Sequence, residues 1–288
     1  MPVAIADHIH SESQAGPLGH WAFQVCQPPA LAHVVESIWE ASGTVVHTHE
    51  RILPSGAIEL ITNLGPPQWL VRPDGVETFA SGATWLAGMQ QRPLLVESMQ
   101  AVHVFGVRLR AAAASHLLAT PMDVASGRTI PVRELRRAPA TAFAAALAGT
   151  HCFEERVVAV CRWIESRCGL GAQPVDYVQW IAERLERSRG TLSIDPLRQM
   201  AGVSRKKLAI EFRAQVGTTP KVLARILRFR RARTLLLRGD SSFAEVAIRC
   251  GYFDQPHMIR DFRALGDMTP ADFVATSYPD GNSTSTSP

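Results

Sequence analysis

The chain has 288 residues, 46% of them hydrophobic and 19% charged, the balance of a folded globular protein of about two domains, which excludes a disordered chain. No run approaches the ~18 consecutive apolar residues of a membrane span, and the N-terminus MPVAIADHIH lacks the basic patch and apolar core of a secretory leader, so a soluble cytoplasmic protein is predicted. The net charge of +4 is unevenly divided: residues 174–288 hold 18 Lys and Arg against 12 Asp and Glu, while residues 1–173 hold 12 against 14.

Residues 1–17, and the tail 279–288 (PDGNSTSTSP), are small and polar and are predicted to be disordered. From 18 to 110 the chain breaks into short apolar or alternating runs, WAFQVC, ESIWEA, TVVHTH, AIELITNL, QWLVR, TWLAGM, LLVESM and VHVFGVRL. These are punctuated by Pro54, Gly56, Gly65-Pro66-Pro67, Pro73-Asp74-Gly75 and Pro93, which predicts a β-barrel or sandwich-like domain. From Ala111 to about 172 Ala, Leu and Arg dominate and a helical connector is expected, with a boundary at Gly169–Pro174. Residues 174–278 read as an all-α domain, making the whole chain α+β.

Two chemistries compete in the β-rich part. Trp39, Trp69 and Trp85, with His47, His49, His103 and Arg108, form a set that can line an apolar pocket for a small effector. The same His47 and His49, on one face of a strand, with His103 and Glu59, can instead hold a metal in a small-barrel enzyme or metal sensor. The second reading resembles the cupin pattern but departs from it, because Leu53 and Pro54 stand where the acid should follow the second His. No nucleophile elbow, P-loop or dinucleotide fingerprint occurs, so no enzyme and no cofactor are expected. The five cysteines are odd in number and contain no C-x-x-C pair. They read as reduced thiols, although Cys161 and Cys168 can share a helix face as a sensor would require.

The C-terminal part is a succession of short helices with legible ends. Val175–Arg189 is amphipathic and stops at Gly190; Ser193–Ala201 is followed by a Gly202-Val203 turn; Ser204 opens a helix to about Val216. Thr219-Pro220 starts a long helix to Arg238, halted by Gly239. Ser242–Cys250, a turn, and a helix from Asp254 repeat the pattern. Leu208, Phe212, Leu235, Ile248, Phe253, Met258 and Phe262 are expected inside. Helix, tight turn and capped second helix is the helix-turn-helix arrangement, whose second helix enters the DNA major groove. Eleven of the eighteen cations lie in 205–238 beside one acid, Glu211.

The stretch 185–276 resembles the AraC/XylS-type tandem helix-turn-helix regulators through A-G-V-S (201–204), L-x-x-x-F (208–212), G-x-x-P (217–220), L-R-F-R-R-A-R (227–233), A-E-V-A-x-x-C-G-Y (244–252), D-Q-P-H-x-x-R-D-F-R (254–263) and M-T-P-x-x-F (268–273). Upstream, I-L-P-S-G-A-I-E-L-I (52–61), F-G-V-R-L-R (105–110) and S-H-L-L-A-T-P (115–121) resemble the uncharacterised β-rich sensor domain often fused to such regulators. The resemblance implies promoter DNA as partner, an N-terminal domain that binds an effector or dimerises, and RNA polymerase and a second copy as further partners. It places the DNA contacts on Arg205, Lys206, Lys207, Ala209, Ile210 and Arg213 of the first reading helix, and on Gln255, His257, Ile259 and Arg260 of the second. Ile210 departs from the Arg common there, and Arg198 from a small Ala. His257 reads equally as a helix-start residue packing on Tyr252, and Arg228 and Arg231 as surface cations.

Overall fold

In a computed structural model of the chain, the described residues are 5–16, 19–45, 49–72, 74–98, 101–135, 138–168, 176–277 and 282–285. Twelve strands are formed among them: β1 (Ile9–Gly16), β2 (Gly19–Cys26), β3 (Val35–Val45), β4 (His49–Ile52), β5 (Ile58–Asn63), β6 (Gln68–Arg72), β7 (Gly75–Phe79), β8 (Thr84–Ala87), β9 (Leu94–Ser98), β10 (Ala101–Leu109), β11 (Thr129–Pro131) and β12 (Ser283–Ser285). They make two antiparallel sheets, one ordered β1-β2-β3-β10-β5-β8-β11 and the other β12-β4-β9-β6-β7. The N-terminal domain is therefore sandwich-like, within an α+β chain.

Three expectations are corrected here. Residues 9–16, expected to be disordered, pair along their whole length with β2, Glu12 opposite Phe23. Ser283–Ser285, in the expected disordered tail, pairs with β4. Inside the expected helical connector, Thr129–Pro131 adds an edge strand against β8, alongside α1 (Ala114–Leu118), α2 (Ala138–Leu147) and α3 (Phe153–Cys168). The expected boundary at Gly169–Pro174 lies outside the described residues.

Alternation along each strand decides what faces the space between the sheets. Trp21, Phe23 and Val25 of β2, Trp39 and Ala41 of β3, and Val102, Val104 and Arg108 of β10 all line it. Gly106 lies opposite Trp39 in the β3–β10 register. A Cβ on it would stand 2.2 Å from the indole, so only glycine lets that ring lie across the strand. On the other face α3 covers the sheet: Phe153 meets Phe105 edge-on at 6.3 Å, and buried Glu40 sits between His103 (2.8 Å) and Arg156 (3.4 Å).

The C-terminal helices are α4 (Tyr177–Arg187), α5 (Ile194–Met200), α6 (Arg205–Val216), α7 (Pro220–Arg238), α8 (Phe243–Arg249), α9 (Gln255–Gly266) and α10 (Pro270–Thr276). Their starts are set by local hydrogen bonds. Asp176, Ser204, Thr219 and Asp254 each accept the backbone N–H three residues on. Ser242 with Glu245, and Thr269 with Asp272, close capping boxes. One apolar core runs from Ile58 and Leu60 of β5 to Leu223 and Leu227 of α7 and packs the first sheet on the helices, while Leu70, Phe79 and Trp85 form a smaller cluster between the sheets.

Candidate functional site

The two helix-turn-helix units repeat with a constant offset of 50 residues: Ser204 and Asp254 cap, Leu208 and Met258 then Phe212 and Phe262 are buried, Gly217 and Asp267 end the helices with positive φ, and Thr219-Pro220 and Thr269-Pro270 start the next helix. The outward positions follow from the buried ones at helical spacing. On α6 they are Lys206, Ile210 and Arg213; on α9 they are Pro256, Arg260 and Arg263; all six are exposed. Arg263 completes the second stripe and was not among the sequence candidates, although its place seven residues after Pro256 marks it.

The remaining candidates occupy more specific settings. Arg205 makes a two-pronged contact with Asp195 of α5 (Nη2 2.8 Å, Nε 3.1 Å). Hydrogen bonds from Arg205, then Arg198, hold that carboxyl below its ordinary range. The pair is exposed and screened, so Arg205 can exchange Asp195 for a phosphate at small cost. Lys207 turns back toward Glu211 (3.8 Å) and over the Tyr177 ring (5.7 Å). Ala209 and Ile259 are half-buried, while Ile210 is 58% exposed. Gln255 is half-buried at the start of α9. The His257 ring packs edge-on against Tyr252 at 5.2 Å, as a helix-start residue would. Arg198 donates to the Val203 carbonyl (2.8 Å) and pins the first turn from beneath.

Two residues expected inside are outside: Ile248 is 64% exposed and Phe253 is 87% exposed. Tyr252 takes the inward place in that turn, with Arg228 stacked on it at 5.6 Å, and adjacent residues of a tight turn cannot both point inward. The long helix α7 holds both units. Arg225 pairs with buried Asp261 (2.5 Å), Phe229 meets Phe262 at 4.8 Å, and Arg228 donates to the Gly190 carbonyl (3.0 Å).

Between the sheets lies a cavity of about 550 Å³. Of the proposed effector set it takes in Trp39, Trp85 and Arg108, together with Trp21, Phe23 and Phe79, which the sequence reading left out. Trp69, His49 and His103 are corrected: their neighbours Leu70, Glu50 and Val104 face the cavity, so alternation turns these three away from it. His49 lies 4.0 Å from Glu97 and His103 bonds Glu40. His47 falls outside the described residues. Arg108 Nε donates to Glu59 (2.6 Å), so the carboxylate expected as a metal ligand is engaged by a cation. Among the described residues no three His, Cys, Asp or Glu side chains converge as metal ligands. Burial pushes the Cys161 thiol up to about 12, with Cys26 and Glu165 adding to the effect, which leaves little reactive thiolate for a sensor. No helix among the described residues is long and apolar enough to cross a membrane.

Residues 197–276 match a family model described as a helix-turn-helix domain, and residues 24–131 match one described as a domain of unknown function (DUF6597). Among curated proteins the chain is similar to the HTH-type transcriptional activator RhaS of Escherichia coli O139:H28, 31% identical over 78 residues, and to RhaS of Citrobacter koseri, 36% identical over 70. These matches cover 27% and 24% of this chain and only 28% and 25% of the relatives' own length. Among solved structures it is similar to ToxT from Vibrio cholerae (TM-score 0.49, 10% identity, 83% of this chain and 98% of that one). An AraC-type regulator from Chromobacterium violaceum matches with a TM-score of 0.32 and 29% identity, over 34% of this chain and 89% of that one. The helices from α4 to α10 form a tandem helix-turn-helix domain. The part of it that matches the helix-turn-helix family model runs from within α5 to the end of α10.

Proposed function

We propose that the chain is a promoter-binding transcription regulator whose two reading helices, α6 and α9, enter successive major grooves on one side of the duplex, about 34 Å apart. The observation that carries this reading is the pair of exposed stripes, Lys206-Ile210-Arg213 and Pro256-Arg260-Arg263, repeated at a fixed offset and joined by one helix. Lys206 and Arg260 have the chemistry to donate to guanine O6 and N7, Gln255 to pair with adenine, and Ile210 to meet a thymine methyl. The neighbouring cations supply phosphate contacts. The chain works by binding, not catalysis. RNA polymerase and a second copy of the chain are the further partners that a promoter-bound regulator meets.

Gel retardation by the full chain of the DNA upstream of its own operon tests the reading. A retarded band whose affinity drops by about 10³–10⁵ between 50 and 200 mM salt, for roughly six to ten phosphate contacts, is the expected result. Arg260→Ala should cost about 1–3 kcal/mol on the preferred site only. Absence of any band at low salt would overturn the proposal, and an unchanged Arg260→Ala affinity would remove that residue from the interface.

The cavity supports control by a small, predominantly apolar effector, since aliphatic side chains and the rings of Trp21, Phe23, Trp39, Phe79 and Trp85 make up most of its wall and its Arg108 is already matched by Glu59. Its rim also touches the reader. Glu36, Pro54 and Ser55 line the cavity, and α7 grips the same residues: Arg230 donates to Glu36 (2.9 Å) and to the Ser55 carbonyl (3.1 Å), and Arg233 to the Pro54 carbonyl (3.2 Å). A ligand that shifts this rim changes how α7 is held. N-phenyl-1-naphthylamine, a neutral apolar fluorophore, should brighten on binding the full chain and not with Ala41→Trp, which fills the cavity wall. Equal emission from both proteins, with equal thermal stability, would contradict the cavity assignment.

A further inference from the structure

A second, smaller cavity of about 220 Å³ lies on α7, lined by Arg189, Arg230, Arg231, Thr234 and Arg238. Four guanidinium groups share one space, and among the described residues no carboxylate lines it. Arg230 is neutralised by Glu36 from the sheet side. Among the described residues Arg189, Arg231 and Arg238 have no acidic partner within 4 Å. The Arg231 Nε is buried and has no hydrogen-bond acceptor among the described residues, a state that folded proteins avoid unless something else fills the place. Arg189 takes a left-handed backbone (φ 53) just beyond Ser188, the C-cap of α4, a conformation that Gly or Asn adopts more readily. Like charges gathered at this density repel, and an anion held among them would offset the repulsion and give the Arg231 Nε an acceptor.

We propose that this arginine pocket is a binding site for a phosphate group. Guanidinium forks match phosphate oxygens in bidentate pairs, and the space equals that of about seven liquid waters at ~30 Å³ each, which admits a phosphate or a diphosphate. The site touches Arg230, the residue that fastens α7 to β3, so an occupant there also competes with Glu36 for that guanidinium. The phosphate can come from a free phosphorylated compound or from a DNA backbone, and the two sources separate by experiment.

Thermal unfolding of the full chain without DNA is compared in millimolar inorganic phosphate and in chloride of equal ionic strength. Phosphate should raise the midpoint by about 2–4 °C, the size expected at roughly five times the dissociation constant. The Arg231→Gln/Arg238→Gln double variant should lose that rise, while Arg162→Gln, an exposed cation on α3, keeps it. In parallel, the salt slope of promoter binding is measured for both proteins. Loss of the phosphate effect with an unchanged slope supports a free phosphate ligand. A slope reduced by about one per arginine supports a backbone phosphate. Equal midpoints in phosphate and chloride, together with an unchanged slope, overturn the proposal. The thermal arm needs no DNA, so failure of the promoter-binding reading would not be mistaken for failure of this one.

Discussion

Phe262→Ala is expected to destabilise the C-terminal domain by about 3–5 kcal/mol, the cost of a phenyl ring removed from a site that cannot collapse around the gap. Phe262 is fully buried and lies edge-on to Phe229 of α7 (4.8 Å) and Phe273 of α10 (5.8 Å). It is thus the contact through which α9 is oriented by both of its neighbours. Against a typical total of about 5–15 kcal/mol, such a loss exposes the second reading unit to unfolding while the first keeps its own core of Leu208 and Phe212. Urea unfolding should show a lowered midpoint, and protease should cut first within 243–276. Arg263→Ala, one residue away and exposed, should fall within about 0.5 kcal/mol of the parent protein. A Phe262→Ala midpoint indistinguishable from that of Arg263→Ala would mean that α9 is held by something other than this aromatic cluster.

The C-terminal helices were legible because their ends are decided locally. A Ser, Thr or Asp that caps the third N–H beyond it needs no knowledge of the rest of the chain, and α6, α7, α8, α9 and α10 all begin immediately after such a residue. The reading stripes followed from the same periodicity. Edge strands were less legible. IHSESQAG of β1 and STS of β12 carry almost no apolar alternation, and their pairing partners lie elsewhere in the sequence. β7 gives little strand signal, because its GVETF run is short, has only two apolar side chains and follows turn residues.

The cavity illustrates a different gap. Trp69, His49 and His103 were grouped by chemistry, whereas strand parity sends them away from the interior that Trp39 and Trp85 face. That parity was available in the alternation around His103, between Val102 and Val104, but its sign depended on knowing which face is covered. On β10 both faces are covered, by the opposing sheet and by α3, so apolar residues occupy both parities and its polar His103 and Arg108 each pair with a carboxylate. The fastening of α7 to the β4–β5 turn was not legible at all. Arg230 and Arg233 look like part of a basic stripe for DNA, and only tertiary packing assigns them to Glu36, Ser55 and Pro54. Gly56 completes this contact: its φ of 79 requires glycine, and an added Cβ would press on Leu227 at 3.2 Å.

The central claim is that one chain presents two readers at a fixed separation. α7 is a continuous helix of 19 residues, about 28 Å at ~1.5 Å per residue, tied to α9 by Arg225 with Asp261 and by the Phe229–Phe262 contact. The readers cannot rotate independently about such a linker. Their two half-sites must therefore lie one helical turn apart on the same face of the duplex. Once footprinting has located the site, inserting about five base pairs between its halves turns them to opposite faces, and inserting about ten restores the face with a longer gap. The most direct measurement is the dissociation constant of the full chain on these three duplexes. The expected result is a loss of two or more orders of magnitude on the half-turn insertion, to the level of a duplex carrying one half-site alone. Equal affinity for the original and half-turn duplexes would contradict a rigid pair of readers in successive grooves.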